Sequence, residues 1–163
     1  MHDFIFQTLE EQHISFQNHE HEKVYTVAQA DKIDKGINAQ ATKNLFVKDK
    51  KKNYFLITAV ADKAINLKQV AKQIGAKGGS LSFVNADQLL EMMNLTPGSV
   101  TPFGLLVAKQ RGFDITFYLD QEVYDAQTLG IHPMRNDMTT VLKITDLEKL
   151  LISKNISCNF IDL

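Results

Sequence analysis

Residues 54–60 read Tyr54-Phe55-Leu56-Ile57-Thr58-Ala59-Val60, a run that is apolar almost throughout. A strand with one wet face would alternate, so this run predicts a central strand covered on both sides. Outward from it, strand signals recur at Lys43 to Lys48, Leu81 to Val84, Leu105 to Ala108, Asp114 to Leu119 and Thr139 to Ile144. Ile14 to His19 is short and extended, and Ile156 to Leu163 adds a final strand with Ile156, Cys158 and Phe160 alternating to one side. Helix signals fall between the strands. Asp3 to Gln12 places Ile5 and Leu9 on one face. Thr26 with Gln29, Asn66 with Gln69, Asn85 with Gln88 and Thr145 with Glu148 each set a cap residue three before a Gln or Glu, which predicts helices over 27–35, 67–74, 86–93 and 146–153. Gly36 and Gly75 lie where a helix end favours a left-handed residue. The alternation predicts an α+β (mixed α/β) chain. With no linker, repeat or low-complexity tract, residues 1–163 read as a single domain.

Composition narrows the class. A chain of 163 residues can bury a sizeable core without a staple. The one cysteine, Cys158, excludes an internal disulfide and a Cys-rich zinc site, and points to a reducing compartment, with cytoplasm expected. The N-terminal residues lack a basic region followed by a long apolar run, and no stretch reaches the roughly 18 apolar residues of a membrane span, so no membrane partner is expected. A net charge of -1 argues against coating DNA or RNA by bulk electrostatics. A local patch is still open: Lys48, Lys50, Lys51 and Lys52 surround Asp49 between two strand-like runs, and Lys109 with Arg111 sit at a predicted hairpin tip. These read either as solvated turns or as contacts for a nucleic-acid backbone.

Leu95-Thr96-Pro97-Gly98-Ser99-Val100-Thr101-Pro102-Phe103-Gly104 holds two of the chain's three prolines and two of its eight glycines. Pro97-Gly98 reads as the centre of a type II turn, and Pro102 with Gly104 repeats the arrangement. The amides of Gly98, Ser99 and Gly104 are then expected in a rigid loop with little bulk to shield them, where they could hold an oxygen. As a bare sequence feature the same loop is equally an ordered connection.

Four segments together resemble the YbaK and prolyl-tRNA synthetase editing-domain family. Pro97 to Gly104 is similar to its PGSVTPFG loop, Thr42-Lys43-Asn44-Leu45-Phe46 to its KNLF strand, Ala61-Asp62-Lys63 to its ADK segment, and Gly130-Ile131-His132-Pro133 with Asn136 to its G-F-H-P-x-x-N loop. The resemblance runs from His21 to Leu151 in order and spacing. It implies a central mixed β-sheet wrapped by helices and hydrolysis of a mischarged aminoacyl-tRNA for proline, alanine being the first candidate. Another small residue, cysteine or serine, and a binding module that does not hydrolyse are the alternatives. The implied partners are aminoacyl-tRNA of the proline isoacceptor and prolyl-tRNA synthetase.

Residue by residue, the resemblance implies Lys43, Gly98 and His132 as the catalytic set. It implies Thr26, Asn44, Ser99, Pro102, Gly104 and Asn136 as substrate contacts; Lys50, Lys51 and Lys52, on their charge alone, are the candidates for tRNA backbone contacts beside the solvated-turn reading. From the residues themselves, Lys43 opens a strand, where an ammonium suits a phosphate or a developing oxyanion. His132 is fixed in a turn and can donate or accept, and Thr26 reads first as a helix cap. His21 matches a histidine common before the family's first helix. His19-Glu20-His21 lacks the helical spacing and cysteine partners of a metal site, and neither metal nor cofactor is expected. No G-x-S-x-G elbow, P-loop or G-x-G-x-x-G is present. An aminoacyl ester is already activated, so positioning and oxyanion stabilisation suffice. Two departures put the pocket's size and polarity in question: Asp137 and Met138 replace the residues usual after Asn136, and the first turn, His21 to Thr26, lacks the family's proline.

Overall fold

The computed structural model describes residues 2–23, 32–33 and 36–163. Thr26, its cap pairing with Gln29 and all of the helix expected over 27–35 except residues 32–33, which are helical, lie outside the described residues. Six helices are described: α1 (His2–Glu11), α2 (Leu67–Ile74), α3 (Ala86–Met93), α4 (Gly104–Gln110), α5 (Gln121–Asp125) and α6 (Ile144–Ser153). The strands are β1 (Phe16–Glu20), β2 (Gln40–Lys48), β3 (Tyr54–Val60), β4 (Ser82–Phe83), β5 (Ile115–Asp120), β6 (Thr128–Ile131), β7 (Met138–Lys143) and β8 (Cys158–Ile161). They form one mixed sheet in the order β1-β7-β6-β2-β3-β5-β8, with β4 added to β2.

The apolar run of residues 54–60 is the interior strand it predicted. Phe55 and Ile57 pack on one face with Val47, Val70 and Ile161. Leu56 and Val60 join the larger cluster on the other face, with Phe46, Phe103, Phe117 and Leu119. β3 pairs antiparallel with β2 and parallel with β5, so both its edges are covered as well.

Capping chemistry fixes two helices where the sequence placed them. The Asn66 side chain accepts from the amides of Lys68 and Gln69 at the start of α2, and Asn85 accepts from Gln88 at the start of α3. Gly75 closes α2 at φ 69°, as expected, and Asn94 does the same for α3 at φ 56°. Gly36 is not left-handed; its amide donates to Ile33 O at 3.0 Å. Thr145 is not a cap, because β7 runs directly into α6 and the helix begins at Ile144 with Lys143 in the cap position.

The largest correction concerns Leu105 to Ala108, expected as a strand and found within α4. A short unbroken apolar run is equally compatible with a buried helix. The preceding loop decides it, since Gly104, Leu105 and Leu106 donate to Thr101, Pro102 and Phe103 carbonyls in successive tight turns that wind into the helix. Lys109 and Arg111 therefore mark a helix end rather than a hairpin tip. Arg111 Nη1 donates to Leu90 O at 3.1 Å and Glu91 O at 2.7 Å, satisfying carbonyls at the end of α3.

The lysine-rich turn between β2 and β3 is built on Asp49, only 5% exposed. Its carboxylate accepts from the Lys51, Asn53 and Lys77 amides and from Asn53 Nδ2, each at 2.9 Å. Burial raises the carboxyl pKa, but these bonds outweigh it and bring it from 3.8 to about 2. A depressed carboxyl pKa adds stability above the unfolded value and loses it as pH falls through the folded one. The acid limb of the melting temperature between pH 3.8 and 2 is therefore expected to flatten in Asp49→Asn, whose stability near neutrality drops by about 2 kcal/mol.

Candidate active site

A cleft opens where β2 and β6 part. The two strands pair in parallel only at Gln40↔Leu129 and Ala41↔Gly130. Beyond that point Thr42 Oγ1 holds Gly130 O at 2.9 Å, and β4 rejoins the same edge of β2 only at Val47 and Lys48. The cleft is walled by Thr42 and Asn44 of β2, by Gly130, Ile131 and His132, by His21 and Thr139, and by the apolar side chains of Ile33 and Ile37. A Cβ at Gly130 would sit 2.9 Å from Thr139 Cγ2, so glycine keeps this wall open.

Two histidines enter it with their orientation fixed. His132 Nδ1 lies 3.0 Å from Met138 O. A carbonyl only accepts, so Nδ1 carries a proton and the neutral ring has its lone pair on Nε2. His21 Nδ1 likewise donates to Glu22 O at 2.8 Å, and its Nε2 takes the Thr139 hydroxyl at 2.8 Å. The ring centroids are 6.3 Å apart. His21 reaches this place because β1 pairs antiparallel with β7, setting His19 opposite Thr139.

Asn44 joins the strand to the proline-glycine loop. Its Oδ1 accepts the Thr58 hydroxyl, and its Nδ2 donates to Val100 O at 3.1 Å. The loop itself has the expected type II turn, with Gly98 at φ 93° and Ser99 N donating to Thr96 O at 3.1 Å. Its amides are not all available, however. Those of Ser99 and Gly104 are used within the loop, while that of Gly98 makes no hydrogen bond among the described residues. Pro102 and Gly104 are buried, and Gly104 packs on Met93 and Leu95 rather than on the cleft.

Lys43 leaves β2 on the same face as Ala41, beside the cleft, but is not itself among the residues that wall it. Its Nζ donates to the carbonyl of Lys63. Among the described residues it has no carboxylate partner. Lys63 is paired instead with Asp120, at 2.8 Å, and with Glu122, at 3.5 Å. Burial works to lower the Lys63 pKa, but the hydrogen bond and charge of Asp120, with those of Glu122, overcome it and hold it above the usual lysine value.

With the geometry in place, comparison with known proteins is decisive. Residues 21–150 match the family described as the aminoacyl-tRNA editing domain. The chain belongs to the aminoacyl-tRNA editing domain family. Among its relatives, the prolyl-tRNA editing protein ProX of Acetoanaerobium sticklandii is 35% identical over 144 residues, covering 88% of this chain and 85% of its own. Prolyl-tRNA synthetase associated domain-containing protein 1 of Mus musculus is 34% identical over 130 residues, covering 78% and 75%. A crystal structure provisionally assigned as a trans-editing enzyme for prolyl tRNA synthetase superposes with a TM-score of 0.71 at 14% identity over 99% of this chain and 96% of that one, which shows the shared fold.

For this member of the editing-domain family, neither Asp137 nor Met138 is among the residues that wall the cleft, whereas the other divergent segment, the first turn, begins at His21 in that wall. Asp137 is held by Arg135 in a two-pronged pair, the second contact at 2.8 Å. That pair, stronger than the opposing effect of burial, brings the Asp137 carboxyl to about 2. Met138 is buried and contributes its carbonyl to His132. Asn136 lies in the loop that the His132–Met138 bond closes. Burial, with Glu148 adding, pushes the Cys158 thiol up to about 12, which disfavours the thiolate that a nucleophile needs. His21, Thr42 and Thr139 are cleft residues beyond the expected site set, although each stands in or beside a family-like segment: His21 before the first helix, Thr42 in the Thr42 to Phe46 strand, and Thr139 at the end of the Asn136 to Thr139 segment.

Proposed function

We propose that the cleft hydrolyses the ester of a mischarged tRNA for proline, with alanine as the acyl group removed. The observation that carries this reading is the convergence of Asn44, His132 and the Lys43 strand at the split between β2 and β6, in a chain of the editing family. The ammonium of Lys43 has three donors, one of which goes to a neutral carbonyl. The remaining donors face either the oxyanion formed when water attacks the ester carbonyl or the terminal phosphate of the tRNA. His132, with its lone pair on Nε2 in the neutral ring, takes the proton of the attacking water and returns it to the 3′ oxygen of the terminal ribose as the bond from that oxygen to the acyl carbon breaks. The Gly98 amide is the loop's contribution to the oxyanion or to the acyl amine.

Ile33, Ile37, Ala41 and Gly130 form a small apolar wall suited to a methyl side chain. A synthetase pocket made for proline distinguishes a smaller residue by only about 10- to 200-fold, so a second site that admits alanine and excludes proline by size supplies the missing discrimination. The exposed Lys50, Lys51 and Lys52, brought beside Lys77 by Asp49, are proposed to meet the tRNA backbone.

The test is a panel of alanyl, seryl, cysteinyl and prolyl esters on one tRNA for proline, with single-turnover rates measured for each. Alanyl ester is expected to be lost fastest and prolyl ester to persist. Preferential loss of seryl or cysteinyl ester would reassign the acyl group, and tight binding with every ester intact would mark a binding module.

A further inference from the structure

We propose that Lys63 and Asp120 are positioning residues that set the Lys43 ammonium for its work at the cleft. The inference rests on the reading of Lys43 given above and extends it to residues that do not touch the cleft. The Lys43 amine is held by a backbone carbonyl, that of Lys63, and a carbonyl orients a partner only as firmly as its own turn is held.

This turn is fastened on two sides. On one, Ala61 N donates to Ala41 O of β2 at 3.1 Å, and Lys63 N closes the turn on Val60 O at 3.1 Å. On the other, the Lys63 side chain reaches across to Asp120 at the end of β5, with contacts of 2.8 and 3.1 Å. Asp120 is 1% exposed and also accepts from Val60 N at 3.2 Å and Glu122 N at 3.1 Å. One buried carboxylate thus ties together the end of β3, the start of α5 and the turn whose carbonyl holds Lys43.

The division of labour between the two lysines has a chemical consequence. A carboxylate beside Lys43 would neutralise the charge that an oxyanion or phosphate needs. Here the carboxylate goes to Lys63, and among the described residues Lys43 is held by the neutral carbonyl of the same residue. Lys43 is thereby oriented while its charge stays unspent. Positioning errors of about 1 Å cost on the order of 100-fold in rate, so loosening the turn should show in turnover rather than in binding.

The experiment compares wild type, Lys43→Ala, Lys63→Met and Lys63→Arg in deacylation of alanyl-tRNA for proline, below the melting temperature of each. It also measures the rate at which an N-hydroxysuccinimide acetate acylates Lys43, read by peptide mass spectrometry. Lys63→Met is expected to lower kcat by about 10- to 100-fold at unchanged KM, to alter the acylation rate of Lys43, and to be rescued by Lys63→Arg, which keeps the pair with Asp120. Wild-type kcat in Lys63→Met, or an unchanged Lys43 acylation rate, would overturn the inference while Lys43→Ala remained impaired. Full activity in Lys43→Ala would instead sink the reading on which it rests. Should Lys63→Met melt too low to assay, Lys63→Gln carries the same two comparisons.

Discussion

Replacing Lys43 by alanine is expected to lower single-turnover deacylation by about 100- to 1,000-fold, the cost of removing one donor aimed at a developing oxyanion. The fold should survive, because the amine's hydrogen-bond partner among the described residues is a single carbonyl that is already anchored through its own turn. Thermal melting of Lys43→Ala should stay close to wild type while kcat collapses. If KM alone rises, the ammonium binds the tRNA end without assisting the chemical step. Lys43→Arg is expected to recover little, since the planar fork cannot keep the carbonyl contact and the same point charge together.

The second large effect is structural. A Cβ at Gly104 would lie 2.8 Å from Met93 Sδ and 2.9 Å from Leu95 Cδ1, at the contact between the start of α4 and the end of α3. Met93 and Leu95 are buried, so they have little room to retreat. Gly104→Ala is expected to cost about 1–3 kcal/mol through overpacking, seen as a lower denaturant midpoint, with the rate of the folded protein unchanged. The opposite pattern, lost turnover at full stability, would return Gly104 to the substrate-contact role that the family resemblance implied.

How much was legible follows from the range of each signal. Asn66 and Asn85 announce helix starts because a cap acts over three residues, and both helices begin where their caps predicted. The run from Tyr54 to Val60 announces a strand covered on both faces because burial suppresses alternation, and two clusters flank it. Leu105 to Ala108 misled because a short apolar run carries no period, and the tight turns at Pro102 that wind it into a helix are a property of the folded loop. The short α5 and β6 gave too little pattern to be drawn.

The site was legible only in part, for a similar reason. Asn44 and His132 stood in recognisable motifs and do meet at the cleft. That the amides of Ser99 and Gly104 are used inside their own loop is invisible in a string of residues. His21 and Thr139 are 118 positions apart and meet through the register of β1 on β7. Lys63 and Asp120, 57 apart, likewise meet only through the pairing of β3 with β5.

The most direct measurement follows ester loss from alanyl- and prolyl-tRNA of the proline isoacceptor, with wild type and His132→Ala run side by side. Rapid loss of the alanyl ester alone, slowed by the His132 substitution, is the predicted result. Loss of both esters at equal rates, or a His132→Ala protein as fast as wild type, would contradict an editing site at the split between β2 and β6.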